Sequence, residues 1–179
     1  IITNINHDMS SAMIVETEAY LGPIDRACHA YNNLHTPRTS PMFLVGGHLY
    51  VYLCYGLYCL ANVVTGESGM PCAVLIRAVQ PVDHGKNLQI MVERRNKPVV
   101  DKTLCCGPGM LTQALGIQVK HSGLDLVECS EVWIEDRGVV IEKQHVVVSK
   151  RVGVEYAGEH ASWELRYRIA NNAWTSRAR

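Results

Sequence analysis

Met13–Ile14–Val15–Glu16–Thr17–Glu18–Ala19–Tyr20 is the stretch that decides the fold class. Ile14, Val15 and Thr17 are β-branched and favour a pleated backbone, so the stretch reads as a strand. Further strands are predicted outward from it at Leu49–Leu53, Tyr58–Val64, Cys72–Val79 and Arg166–Ile169. Val132–Ile134 and Val139–Ile141 read as two more, flanking a charged turn at Asp136, Arg137 and Gly138. Helical spacing is confined to His84–Arg95, through Leu88, Met91 and Val92, and to Met110–Leu115. Strands and helices do not alternate regularly, so a doubly wound parallel sheet is disfavoured. The expected class is α+β, a mixed domain built on a mainly antiparallel sheet with flanking helices.

The chain has 179 residues, a length for one domain, and no repeat or linker divides it. With 47% hydrophobic residues it has enough apolar material for a core, which excludes a mainly disordered chain. Seventeen basic and seventeen acidic residues cancel, so any nucleic-acid face must be local. Candidate basic groups are Arg94, Arg95 and Lys97, then Arg166, Arg168, Arg177 and Arg179. The uncharged run from His48 to Thr65 holds four tyrosines, a glycine and an asparagine and does not read as a membrane span. The seven cysteines include no CxxC pair and read as reduced thiols. The chain opens on Ile1 rather than Met and reads as N-terminally truncated. The expected setting is intracellular, nuclear in a eukaryote and cytoplasmic in a bacterium.

Alternation in a strand puts Glu16, Glu18 and Tyr20 on one face. Two carboxylates side by side raise at least one pKa, which suits proton transfer. Two ordinary glutamates on a solvated edge strand would look the same. Within Leu49–Tyr58, four of the eight tyrosines fall in the nine positions from Tyr50 to Tyr58. Tyr50 and Tyr52 share a face, and Tyr55–Gly56 reads as a hairpin tip, since glycine permits the positive φ of a tight turn. An aromatic core strand explains Tyr50 well but explains a tyrosine at a tip poorly. Asn62 falls in an apolar strand and needs hydrogen-bond partners, from a ligand or from the protein. Arg77, alone in Cys72–Val79, fits a salt bridge at the sheet end or an anion contact equally well. Cys106–Gly107–Pro108–Gly109 ahead of the second helix, and Gly153 and Gly158, fit either phosphate approach or plain turn geometry.

Together these segments resemble the alkyladenine (3-methyladenine) DNA glycosylase family of the mammalian type. The motifs that carry the resemblance run in order: Ile14–Pro23, Ala27–Cys28–His29, Thr36–Pro37–Arg38, Met42–Phe43, Leu49–Tyr52, Tyr55–Tyr58, Asn62, Val74–Ala78, Cys106–Pro108, Gln113–Leu115, Arg151–Val154 and Ala157–Glu159. The resemblance implies one curved-sheet domain over 1–179 with a protruding β-hairpin. It implies a monofunctional enzyme without lyase activity that flips alkylated or deaminated purines out of duplex DNA. The lesions would be 3-methyladenine, 7-methylguanine, hypoxanthine and ethenoadenine, and hydrolysis of the N-glycosidic bond would leave an abasic site. Carried over residue by residue, Glu18 is the general base, and Tyr20, His29 and Tyr52 are aromatic pocket walls. Asn62 gates against guanine and Leu75 completes the base pocket. Tyr55, with Gly56 and Leu57, is the wedge, and Arg77 contacts the flipped nucleotide's phosphate. No metal or cofactor is implied. The implied partner is double-stranded DNA containing damaged purines, bound by a monomer with no membrane involved.

The chemistry suits these residue types. A base must leave the stack before a carboxylate can reach its sugar, at a few kcal/mol. Cationic alkylated purines gain about 0.5–2 kcal/mol over electron-rich rings. The sugar passes through an oxocarbenium-like state that a carboxylate stabilises while it activates water. Spacing alone cannot choose between Glu16 and Glu18; the choice rests on the resemblance. No lysine lies near the motif, so hydrolysis is favoured over Schiff-base chemistry. A module that captures lesions without turnover and a nucleoside hydrolase are the alternatives, the first disfavoured by Glu18 and the second by the hairpin wedge.

Overall fold

The computed structural model describes residues 1–82 and 85–176. Its strands are β1 (Ile2–Ile5), β2 (Asp8–Tyr20), β3 (Leu49–Cys54), β4 (Tyr58–Val64), β5 (Ala73–Pro81), β6 (Val132–Trp133), β7 (Val146–Ser149) and β8 (Arg166–Ile169). Two α-helices, α1 (Lys86–Arg94) and α2 (Pro108–Leu115), and a series of short 3-10 turns complete it. The main path of the sheet runs β3-β4-β5-β2-β1-β6, and β8 joins the second half of β2 and carries β7. Every strand pairing between these elements is antiparallel. The α+β class and the curled antiparallel sheet are as expected.

Residue parity explains how one sheet serves two purposes. Leu49, Val51, Ala61, Ile76 and Val79 pack with Met91, Leu111, Ala114 and Leu115 in the main core, which α1 and α2 cover. Tyr50, Val64 and Ala73 pack from the opposite face against Cys28, Ala30 and Met42 of the loop-rich stretch. In β2 the even residues change sides. Ala12 and Ile14 belong to the helix-covered core, whereas Glu16, Glu18 and Tyr20 face the other way. The register accounts for it: Ile14 pairs Val79, Glu16 pairs Ala78, and Glu18 pairs Leu75, with irregularities on both sides of Glu16. Each strand therefore carries one extra residue there, a bulge that reverses which face the following side chains take. Without it, the two carboxylates would point into the apolar core beneath the helices.

The hairpin of β3 and β4 is turned by Tyr55 (φ 50°) and Gly56 (φ 69°), with the Leu57 N–H donating to the Cys54 carbonyl at 3.0 Å. Positive φ at both central residues matches the right-handed twist of the strands, but a tyrosine there is strained by about 1–2 kcal/mol. Gly109 at the start of α2 seats the base of this hairpin. A Cβ on Gly109 would stand 2.8 Å from the Tyr58 Cβ, so only glycine lets the strand approach the helix. Packing against Tyr58 accounts for Gly109, and Gly153 (φ 75°) takes a left-handed turn conformation with open space around it.

Several expectations are corrected. Val139–Ile141 is no strand: residues 135–142 hold no regular structure, and Val140 is 86% exposed, because no neighbouring strand pairs with the segment. β1 and β7 form where no strand is expected. Arg94 is not a surface phosphate group; it turns inward to the Ser10 hydroxyl and to the carbonyls of Ile5, Asp8 and Ala114. Arg166 is buried in an ion pair. The expected helix start at His84 and the basic groups Arg177 and Arg179 lie outside the described residues. The cysteines are free thiols, and among the described residues no helix is long and apolar enough to cross a membrane.

Candidate active site

A cavity of about 420 Å³ opens on the face of the sheet away from the helices, within the usual range for small-molecule sites. β2 contributes Tyr20, β3 contributes Tyr50 and Tyr52, β4 contributes Leu60 and Asn62, and β5 contributes Leu75 and Arg77. The loops add His29, Arg38, Met42, Val152, Gly153 and Tyr156, and Tyr55 stands at the rim. Most of the residues singled out from the sequence are therefore brought together here. The exceptions are Gly56 and Leu57, which lie on the exposed turn beyond the rim, and Glu18, which lies one layer behind it.

Glu18 is fully buried, and the three groups that hold it all line the cavity. The Tyr20 hydroxyl donates to Oε2 at 3.0 Å, the Val152 N–H donates to Oε1 at 2.8 Å, and the Arg77 guanidinium approaches Oε1 at 3.2 Å. A carboxylate has about four acceptor sites. Oε2 of Glu18, with the Tyr20 hydroxyl as its one donor among the described residues, keeps an unused acceptor site.

Glu16 is held differently. Its Oε1 accepts from Arg77 Nε at 2.9 Å, Arg166 Nε at 2.8 Å and the Ser176 hydroxyl at 2.6 Å. The Ser176 N–H donates to Oε2. Burial opposes ionisation of Glu16, but Ser176 and the two guanidiniums outweigh it and hold the carboxyl below its usual range. Of its three partners only Arg77 lines the cavity. Arg77 thus bridges both carboxylates, and of the two readings open from the sequence, the structure contains the salt bridge.

The aromatic walls are interlocked. Tyr52 meets His29 edge-on with centroids 4.5 Å apart and stacks on Tyr50 at 5.6 Å. Arg38 donates to His29 Nε2 at 3.3 Å, and a guanidinium can only donate, so this nitrogen carries no proton. The proton sits on Nδ1 and goes to the Tyr50 oxygen 2.9 Å away. Burial first, and the Arg38 charge second, lower the His29 pKa to about 4. His29 is therefore neutral near pH 7, with no proton on Nε2, and is poorly suited to act as a general acid. Burial, and then the Glu18 charge, push the Tyr20 phenol far above its ordinary value, so its hydroxyl keeps its proton. Asn62 is buried with its amide nitrogen donating to the Tyr50 carbonyl at 3.1 Å. Tyr55 is 92% exposed, with Leu57 also exposed beside it.

Two residues not singled out as site residues bear on the wall, one within it and one against it. Tyr50 is one, though its alternation with Tyr52 was a usable signal. Arg151 is another: it is buried, paired to both oxygens of Asp25, and its guanidinium lies 4.8 Å from the Tyr20 ring centroid. Among the described residues no group of three or more His, Cys, Asp or Glu could hold a metal ion.

A narrow aromatic slot with a carboxylate behind one wall suits a protein that takes a flat ring and works on the bond beside it. The chain belongs to the methylpurine-DNA glycosylase family, whose model matches residues 1–173. It is 40% identical over 179 residues to a protein of Bdellovibrio bacteriovorus, covering 98% of this chain and 88% of that one. It is 42% identical over 174 residues to one of Alkaliphilus oremlandii, covering 93% and 83%. A third relative, from Natranaerobius thermophilus, is 38% identical over 177 residues, with 98% and 87% covered. Each carries the provisional name 3-methyladenine DNA glycosylase. These relatives are bacterial.

Proposed function

We propose that the protein is a monofunctional glycosylase that holds an extruded damaged purine in the tyrosine-walled cavity and hydrolyses its N-glycosidic bond. The observation that carries this reading is the 3.0 Å hydrogen bond from Tyr20 to Glu18, which joins an aromatic wall to a buried carboxylate. The base stacks between Tyr20, His29 and Tyr52 over Leu75. Glu18 deprotonates a water through Oε2 and stabilises the oxocarbenium-like sugar as the bond breaks. Asn62, held by the Tyr50 carbonyl, cannot swing aside and gates against guanine.

Tyr55, carried on the Gly56–Leu57 turn, enters the duplex and replaces the stacking of the extruded base. Arg77 serves the nucleotide's phosphate by exchanging its weakest partner, the Ser176 hydroxyl at 3.4 Å. No lysine lines the cavity among the described residues, which favours hydrolysis without strand cleavage. The substrates are 3-methyladenine, 7-methylguanine, hypoxanthine and ethenoadenine in duplex DNA, as in the mammalian type. Residues 1–179 act as one domain and as a monomer. The bacterial relatives favour the cytoplasm, where such DNA lies.

The test is to incubate the protein with duplexes carrying each lesion and to measure breaks before and after alkali. Breaks that appear only after alkali are expected, since an abasic site is alkali-labile. Breaks before alkali would overturn the monofunctional reading, and no release from any lesion would overturn the activity.

A further inference from the structure

The Tyr20 ring lines the cavity, and a guanidinium that does not line it lies over the same ring. Arg151 Cζ lies 4.8 Å from the ring centroid, yet Arg151 does not line the cavity, although its neighbour Val152 does. The guanidinium cannot drift. Its side chain is fully buried, paired to both Asp25 oxygens, and it donates to the carbonyls of Ala19 at 2.9 Å and His160 at 3.2 Å.

Asp25 is itself pinned, accepting from the Leu21 and Ala27 N–H groups at 3.1 and 3.0 Å. Arg38 stands over Tyr52 at 5.0 Å in a similar way, but it is exposed to solvent, which screens it.

An aromatic face attracts a cation through its quadrupole. A cation already fixed behind the ring draws π density away and repels a second cation in front, and burial leaves this repulsion unscreened. Tyr20 is therefore not a free cation-binding ring.

We propose that Arg151, held by Asp25 behind Tyr20, is a specificity-determining residue that biases the cavity away from cationic bases and towards neutral ones. The inference rests on the glycosylase reading above. Arg151 touches no substrate; it acts through the ring, with the Asp25 charge as its counterweight. The Glu18 carboxylate favours positive charge at the cavity, and Arg151 offsets that preference. The two variants that separate this from a structural role have opposite signs. D25N/R151M removes both charges together and leaves neither buried ion alone. D25N leaves the cation in place and removes only its counterweight.

The experiment measures single-turnover release of 7-methylguanine, a cationic base in DNA, and of hypoxanthine, a neutral one, from otherwise identical duplexes. The readout is the ratio of the two rates relative to the unsubstituted protein, so the intrinsic lability of each base cancels. D25N/R151M is expected to raise the ratio by about three- to tenfold. D25N is expected to lower it. An unchanged ratio in both variants, or a shift of both in the same direction, overturns the proposal. If one variant does not fold, the sign of the other still decides. Failure of the unsubstituted protein to release either base would instead sink the glycosylase reading, so the two failures are distinguishable.

Discussion

Glu16 and Glu18 leave the same strand two residues apart, on the same face, and are equally buried. Around Glu16 the molecule is closed. Two arginines and both donors of Ser176 hold it, and these partners come from β5, β8 and the segment after β8. Around Glu18 every partner also lines the cavity. The difference teaches that burial and charge do not by themselves mark a catalytic acid. What separates the two is whether the groups holding the carboxylate are themselves in contact with the space a substrate would fill. Arg77 joins the two regions and lets one ion pair serve both.

The comparison can be broken by stability. E16A leaves Arg77 and Arg166 buried without their shared acceptor, a loss of about 3–5 kcal/mol for a broken buried pair. E18Q keeps Arg77 on Glu16 and is expected to cost clearly less. Urea unfolding of the two variants checks this, and equal losses would mean that both carboxylates are structural. A smaller effect sharpens the picture at the rim. Y55S removes the exposed ring while leaving the cavity intact, and lesion binding should weaken by about 1–3 kcal/mol, the value of one stacked base. Titration of lesion duplex in the E18Q background measures it, and unchanged affinity would remove the wedge role from Tyr55.

Local signals were legible and long-range ones were not. The strands at Tyr58–Val64, after the Tyr-Gly turn, and at Arg166–Ile169 were legible in the sequence, and both form over those residues. The Tyr55–Gly56 tip was legible because turn chemistry is local. The bulge at Glu16 was not, since it depends on the register against β5, and it alone sends the acids away from the apolar core.

Nor could spacing separate Glu16 from Glu18, because their decisive partners stand far along the chain: Arg166, Ser176 and Val152. Val139–Ile141 misleads for the converse reason: its composition is that of a strand, but nothing pairs with it. The choice of Glu18, and of most wall residues, came from the resemblance, and geometry supplies its physical reason.

The central claim is tested most directly by single-turnover release of hypoxanthine by E18Q beside the parent protein, at protein concentrations that saturate the lesion duplex. Loss of a positioned base should slow release by about 10²–10⁴-fold, while lesion binding and the unfolding midpoint stay near those of the parent. Release at the parent rate by E18Q would contradict the account and move the chemistry to another group.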